Sequence, residues 1–443
     1  MGCVFCGAPV LGIALALAAP NPTSLLELFG GPTHAFKDVA LTLLPHLVTL
    51  ARRAEGEAGT TLVLTATSGD TGKAALEGFK DVPETEVVVL YPTEGVSFMQ
   101  KQQMRTQAGD NVHVLGIHGD FDDAQRAVKA LFADAGARER LDARGYSISS
   151  ANSINLGRLL PQMVYYVTGY AALRRAGVVA AGEPVDVVVP TGNFGNLLAA
   201  TWARAAGVPL GALVCATNEN RVLADFFATG TYDARRRLVR TDSPSMDILV
   251  SSNLERYLYE ASGGDTDRVR TALETLARHR RFDWGELPGA GANPVLAGTA
   301  TRKEAADALR RVHAEHGTLV DPHTAVALHV LEQYRAGQLT DGTVPPARPA
   351  LVAATASPYK FAPAVLGALG GEADPDEFET LLRLATHAAD ERGAPAGLAG
   401  LREAEVLHDR VVEVDEVPAH PAQGHAPSHP DAHSPAPATC RTW

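Results

Sequence analysis

The chain has 443 residues, 46% of them hydrophobic, enough to bury two separate cores. Its formal net charge is −12 and no basic stripe interrupts the acidic balance, so nucleic acid is excluded as an expected partner. Of its four cysteines, Cys3 and Cys6 form a CxxC with no second pair at zinc spacing, while Cys215 and Cys440 stand alone; neither a metal site nor a disulfide framework is expected.

Taken in chain order, residues 10–19 form an apolar run of signal-peptide length. No Lys or Arg precedes Lys37, and a bilayer span needs about 20 residues, so the expectation is a cytoplasmic protein with no membrane partner. The segment Gly30-Gly31-Pro32-Thr33-His34-Ala35-Phe36-Lys37-Asp38 then leads into a helix predicted over 38–53. A strand at 61–65 runs into Thr65-Ala66-Thr67-Ser68-Gly69-Asp70-Thr71-Gly72 and a helix at 72–79. Strands at 87–91 and 112–117 and a helix at 121–132 follow. Next comes Asn152-Ser153-Ile154-Asn155-Leu156-Gly157-Arg158, opening a helix at 156–174. A β-branched strand at 185–189 meets Pro190-Thr191-Gly192-Asn193-Phe194-Gly195-Asn196 and an Ala/Leu-rich helix at 196–206. Beyond a strand at 212–216 lie helices at 267–278, 301–315 and 324–334, the last begun by Pro322. A strand at 350–354 closes on Thr355-Ala356-Ser357-Pro358-Tyr359-Lys360-Phe361. This alternation of β-branched runs with Ala/Leu/Arg stretches indicates an α/β architecture with mainly parallel strands. Residues 418–443, rich in His, Pro, Ala and Ser, have no apolar periodicity and are expected to be disordered.

Two of these segments suggest a chemistry. Lys37 offers an amine among small and apolar residues, and residues 192–196 offer a glycine-rich turn between a strand and a helix. A lysine amine that forms a Schiff base, together with a loop and helix N-terminus that hold a phosphate, is what pyridoxal 5′-phosphate (PLP) requires.

The five segments, in this order, resemble the threonine synthases, fold-type II PLP enzymes related to the tryptophan synthase β chain. The resemblance runs from about Leu25 to about Leu401. It implies two open, twisted, mainly parallel sheet domains flanked by helices. The large PLP-binding domain is expected at 25–59 and 152–417, and a small mobile domain at 60–151. It also implies a longer segment ahead of the lysine than the 36 residues found here, so 1–24 is expected to be atypical or truncated.

Residue by residue, the resemblance implies Lys37 as the Schiff-base lysine and proton carrier, oriented by Phe36. Gly192, Asn193, Phe194, Gly195 and Asn196 are expected to hold the cofactor phosphate through backbone N–H groups, and Thr355 to meet the pyridine nitrogen. Ser68, Gly69, Thr71 and Gly72 are expected at the substrate carboxylate. Asp70, ionised and unable to donate, either accepts from the cofactor's ring hydroxyl or orients this loop. Lys101 and Arg158 are the expected cations for a substrate phosphate, with Asn155 also on the substrate side. Ser245, Met246 and Asp247 resemble a further loop near the site.

The implied reaction converts O-phospho-L-homoserine and water to L-threonine and phosphate. The alternatives are a related lyase on another hydroxy- or phospho-amino acid, such as a serine/threonine dehydratase, and a non-catalytic PLP-binding relative. The expected partner is a small phosphorylated amino acid, and the chain is expected as a monomer or a homodimer.

Overall fold

The computed structural model describes residues 12–17, 22–67, 69–286, 295–340, 342–390 and 393–419, with backbone alone for 12–17. Ser68, Cys3, Cys6, Cys440 and the His-rich stretch from His420 onward lie outside the described residues.

The strands in chain order are β1 (Gly12–Leu17), β2 (Thr23–Glu27), β3 (Thr60–Ala66), β4 (Thr85–Pro92), β5 (Val112–His118), β6 (Tyr146–Ser150), β7 (Val185–Pro190), β8 (Leu210–Thr217), β9 (Thr231–Asp233), β10 (Arg281–Asp283), β11 (Val295–Thr299), β12 (Ala350–Ala354) and β13 (Val411–Glu413). One sheet has the order β1-β2-β12-β7-β8-β11, the other β13-β5-β4-β3-β6, and β9 with β10 forms a small two-stranded antiparallel sheet. Every pairing in the two large sheets is parallel except β1 with β2.

Both large sheets are buried on two faces, which explains why their strands are continuous apolar runs. In the first sheet, Leu26, Val187, Val189, Leu213, Cys215 and Leu351 pack on one side. Their strand neighbours Leu25, Val188, Val214, Ala216 and Val352 pack on the other, as the two-residue period of a strand demands. In the second sheet Val63, Val87, Val89 and Val114 face one core and Leu62, Leu64, Val88 and Leu90 the opposite one.

Three departures from the sequence expectations have plain physical causes. The helix predicted over 156–174 is three pieces, Leu156–Leu159, a 3₁₀ turn Leu160–Gln162 and Met163–Arg175, because Pro161 cannot donate to the preceding turn. Part of the apolar run near the start is β1, which pairs in antiparallel fashion with β2. The segment 411–413, expected with the large domain, joins the other sheet: β13 pairs with β5 and buries Val412 in the same core as Ile117 and Leu131. A free edge of β5 would expose unpaired backbone groups, and β13 covers it.

Candidate active site

Four of the segments singled out above follow the C-terminal ends of parallel strands. The turn 191–194 follows β7, 67–69 follows β3, Thr355 follows β12, and the Lys37 segment follows β2. In open α/β sheets such crevices are where ligands bind. They converge between the two sheets on a cleft of about 840 Å³, partly open to solvent. Its walls include Phe36, Lys37, Asp70, Thr71, Arg158, residues 190–197, Ser245, Met246, His323 and Thr355.

Lys37 stands immediately before the helix Asp38–Glu55 and is 8% exposed. Its Nζ lies 3.2 Å from Asp70 Oδ2 and 4.7 Å from the centre of the Phe36 ring. Burial lowers its affinity for a proton; Asp70 opposes this, but Arg158 and Lys360 add to it, and the net direction is below an ordinary lysine. A fraction of free amine at neutral pH is what a nucleophilic lysine needs.

Asp70 begins the helix Asp70–Phe79 and reaches across from the second sheet to the first. Its Oδ2 also meets Ser245 Oγ at 3.5 Å. Its Oδ1 accepts from Gln100 Nε2 at 2.8 Å and from Lys360 Nζ. Burial alone would raise this carboxyl, but the ammonium groups of Lys360 and Lys37 outweigh it and hold Asp70 well below the usual carboxylate range. Lys360 is wholly buried, with Thr33 O as its second acceptor at 3.1 Å.

The turn before the helix Gly195–Ala205 is a ready anion cradle. Phe194 has φ 65° and provides no side-chain cap, so the first N–H groups of the helix remain free for a ligand. The left-handed backbone is held by the Phe194 ring, which stacks on Phe227 and meets Tyr257 edge-on. The outer side of the turn is tied down: Gly192 O accepts from Ser251 Oγ, and Asn193 O from Asn253 N and Nδ2. Asn196 Oδ1 accepts from Tyr166 Oη at 2.6 Å, which leaves the buried Asn196 Nδ2 without a protein partner. Free amides, an orphaned side-chain donor and a helix N-terminus fit a phosphate monoester.

Arg158 is buried and lines the same cleft. One terminal nitrogen donates to Ala151 O at 2.8 Å, and Nε has no partner. Burial lowers its pKa to about 10, which still leaves a full positive charge at neutral pH. Thr71 Oγ1 lies 3.4 Å from its other terminal nitrogen.

Other sequence candidates are placed differently. Lys101 Nζ donates to Thr93 O at 2.8 Å, and Lys101 is not among the residues lining the cleft. Asn155 caps the helix Leu156–Leu159, accepting from Gly157 N and donating to Ser150 O. Gly69 and Gly72 shape the turn rather than face the cleft: the N–H groups of both donate to Thr67 Oγ1. The Asp247 carboxylate gathers donors from Thr241, Asn218 and Asn220 and thereby anchors the turn that presents Ser245 and Met246.

Two residues went unassigned from the sequence. Lys360 was only the penultimate residue of its segment. His323, read as part of a helix start, lines the cleft; its Nδ1 meets Asp321 Oδ2 at 2.5 Å and its Nε2 accepts from Ser245 N at 3.2 Å. The backbone donor fixes Nε2 as the acceptor, so the ring proton sits on Nδ1. A signal was present, since Asp-Pro-His is an N-cap, a proline and a titratable side chain in one turn.

A buried lysine and an anion cradle thus share a cleft between two mainly parallel sheets, and residues 25–297 match the pyridoxal-phosphate dependent enzyme family. Residues 324–416 match the threonine synthase C-terminal family. The chain is 37% identical to threonine synthase from Pseudomonas aeruginosa over 352 residues, 79% of this chain and 70% of that one. It is 41% identical to threonine synthase-like 1 from Macaca fascicularis over 78% of this chain, and spans about half (46%) of that relative's length. Among solved structures, the yeast threonine synthase superposes with TM-score 0.78 at 31% identity, covering 94% of this chain and 81% of that one. The PLP-bound threonine synthase from Brucella melitensis gives 0.75 at 35% identity, covering 93% and 81%. The chain belongs to the threonine synthase family of PLP-dependent enzymes.

Proposed function

We propose that this chain converts O-phospho-L-homoserine and water to L-threonine and phosphate. The observation that carries the reading is a buried amine, Lys37, sharing one cleft with two separate anion sites, one at residues 192–196 and one at Arg158. One anion site serves the cofactor phosphate and the other the phosphate of the substrate.

In this reading Lys37 attaches the cofactor and residues 192–196 hold its phosphate, with Asn196 Nδ2 as an added donor. Thr355, which lines the cleft, would meet the pyridine nitrogen, where a hydroxyl leaves that nitrogen largely unprotonated. Bound PLP supplies an electron sink for negative charge at the carbons next to the substrate amine. The Lys37 amine would take the proton from Cα, and the burial that lowers its affinity for a proton favours its free-base form. Arg158 neutralises the charge that builds on phosphate as it leaves Cγ. A proton leaves Cβ as the C–O bond at Cγ breaks and phosphate departs with the electron pair. A proton then enters at Cγ, the hydroxyl of water adds at Cβ, and a proton returns to Cα to give L-threonine. Thr71 would orient the α-carboxylate, and Phe36, whose ring lies 4.7 Å from Lys37 Nζ, would help to position that amine. Before the cofactor binds, Asp70 accepts from both Lys37 Nζ and Lys360 Nζ.

A second reading, a lyase on hydroxy-amino acids, draws on the placement of Lys101. With that ammonium tied to Thr93 O, Arg158 remains the guanidinium at the substrate side of the cleft.

The test is phosphate release from O-phospho-L-homoserine by PLP-loaded protein, with the amino acid product identified. We expect phosphate and threonine in equal amounts, both lost in Lys37→Ala. Turnover of serine or threonine with none of the phosphorylated substrate would favour the second reading.

A further inference from the structure

The buried charges around Lys37 are unequal in a way that the reaction itself does not require. Asp70 is one carboxylate between two ammonium groups: Lys360 and Gln100 take Oδ1, while Lys37 and Ser245 Oγ share Oδ2. The two lysines are not alike. Lys37 borders the cleft, whereas the Lys360 side chain is wholly enclosed and is not among the residues lining it. Lys360 sits on the 3₁₀ turn Pro358–Phe361, and its backbone carbonyl accepts from Ser97 Oγ at 3.4 Å, so the turn is fixed from the second sheet as well. The same enclosure bars Lys360 from reaching a ligand.

Attachment of a carbonyl cofactor to Lys37 changes this balance. The neutral Lys37 amine condenses with the aldehyde: a C=N bond forms, the aldehyde oxygen leaves as water, and the proton that the ammonium carried has gone to solvent. With Lys37 as its single cation, Asp70 would then remain as a buried carboxylate bereft of a counter-ion, a costly state. The geometry points to Lys360 as the standing counter-ion of Asp70, the positioning residue that lets Lys37 give up its charge to the cofactor without leaving that carboxylate unpaired. This rests on the reading that Lys37 is the attachment point.

The electrostatics agree in sign. Lys360 lowers both the Asp70 carboxyl and the Lys37 amine. The other charged groups facing Lys37 are Asp70 from the helix Asp70–Phe79 and Arg158 from the helix Leu156–Leu159, the latter lowering it too. Asp38, at the start of the helix that follows Lys37, is held by Thr33 N at 2.9 Å and by Thr33 Oγ1, and couples to both Lys360 and Asp70. His34 also feels Lys360, which helps to keep its ring neutral. His323 is engaged by Asp321 and Ser245 N.

The experiment measures capture of PLP rather than turnover. Full-length protein stripped of PLP is mixed with PLP from about pH 6 to about pH 10, reduced with borohydride, and the fraction of Lys37 carrying the adduct is read by mass spectrometry. Reduction fixes the bond, so the readout does not depend on the colour of any protonation state. For Lys360→Met we expect the midpoint of capture to move up by about one pH unit or more, because Lys37 becomes the sole cation of Asp70. Lys360→Arg keeps the charge and should restore the wild-type profile. In the double variant Asp70→Asn with Lys360→Met, no carboxylate needs a partner, and capture should return at or below the wild-type midpoint. A Lys360→Met profile that overlays wild type overturns the proposal, as does a double variant with the same upward shift as the single one. Should Lys360→Met be insoluble, the double variant decides: soluble protein that captures PLP supports the counter-ion role, and failure to capture overturns it. A full adduct in Lys37→Ala, located on another residue, would refute the attachment reading instead.

Discussion

Arg158 carries a fixed charge into a buried site because its terminal nitrogen is satisfied by a backbone carbonyl, Ala151 O, rather than by a carboxylate. Its charge is therefore uncancelled, and its Nε points to no protein acceptor. We expect Arg158→Lys to raise KM for O-phospho-L-homoserine roughly tenfold, about 1.4 kcal/mol, because a point charge replaces a planar fork. Steady-state kinetics check this; an equal loss with a non-phosphorylated hydroxy-amino acid would remove Arg158 from the substrate-phosphate site. At this scale Lys37 stood out by its setting among small and apolar residues, and Arg158 by the resemblance of its segment to a family motif; the structure puts both at the cleft. Lys360 did not stand out. Its partner Asp70 is 290 positions away, and nothing near residue 360 reveals a buried carboxylate.

The turns and helix starts around the site depend on close approaches. At Gly192 an added Cβ would come within 2.6 Å of Ser245 O, a backbone atom that cannot step aside. Gly192→Ala should push residues 192–196 away from the 245 turn and weaken PLP binding about tenfold, read by equilibrium dialysis; undiminished affinity would mean that the cradle tolerates the shift. The Lys37 segment contains two titrating groups of opposite sign. Burial and then Lys360 lower His34 from 6.5 to about 4, so its contribution to stability is present above pH 6.5 and lost as pH falls toward 4. Burial raises Asp38 from 3.8 to about 6 against the hydrogen bonds from Thr33, so its contribution is present below 3.8 and lost as pH rises toward 6. Between about pH 4 and pH 6 the two slopes oppose each other. Asp38→Asn should make stability fall more steeply on acidification than in wild type. His34→Asn, which tolerates the φ of 58° there, should make it fall less, by at most about 3 kcal/mol over that range. Urea titrations at three pH values test both signs, and parallel curves for all three proteins would refute the assignment. Element existence was legible here from runs of Val and Leu, but the break at Pro161 and the joining of β13 to β5 follow from the packing of distant strands.

At the scale of the molecule, the cleft is made by two sheets that meet through few polar contacts. Asp70 from the second sheet's side, itself held by Gln100, accepts from Lys37 and Lys360 of the first, and Gln103 Nε2 reaches Thr33 O at 3.3 Å. A ligand that grips both sides adds to this connection. Saturation with PLP at about a hundred times its Kd should raise the free energy of unfolding by about 2.7 kcal/mol. The urea midpoint should rise accordingly, and the gain should shrink in Lys37→Ala, which leaves the phosphate cradle alone to bind. A gain unchanged by that substitution would separate Lys37 from cofactor binding.

The sequence by itself determined the class of fold and the existence of its strongest strands and helices, and its resemblance to a family marked the segments expected at the site. Those depend on local pattern: apolar runs bounded by glycine-rich turns, helix starts, and a lysine set among small residues. Only the tertiary structure decided which charges are paired. Whether Lys101 faces the cleft or a backbone carbonyl, whether Asp70 meets one ammonium or two, and which ring nitrogen of His323 carries the proton all depend on atoms brought together from segments far apart in the chain. In a buried site the free energy of a charge is set by those neighbours, and no local pattern records them.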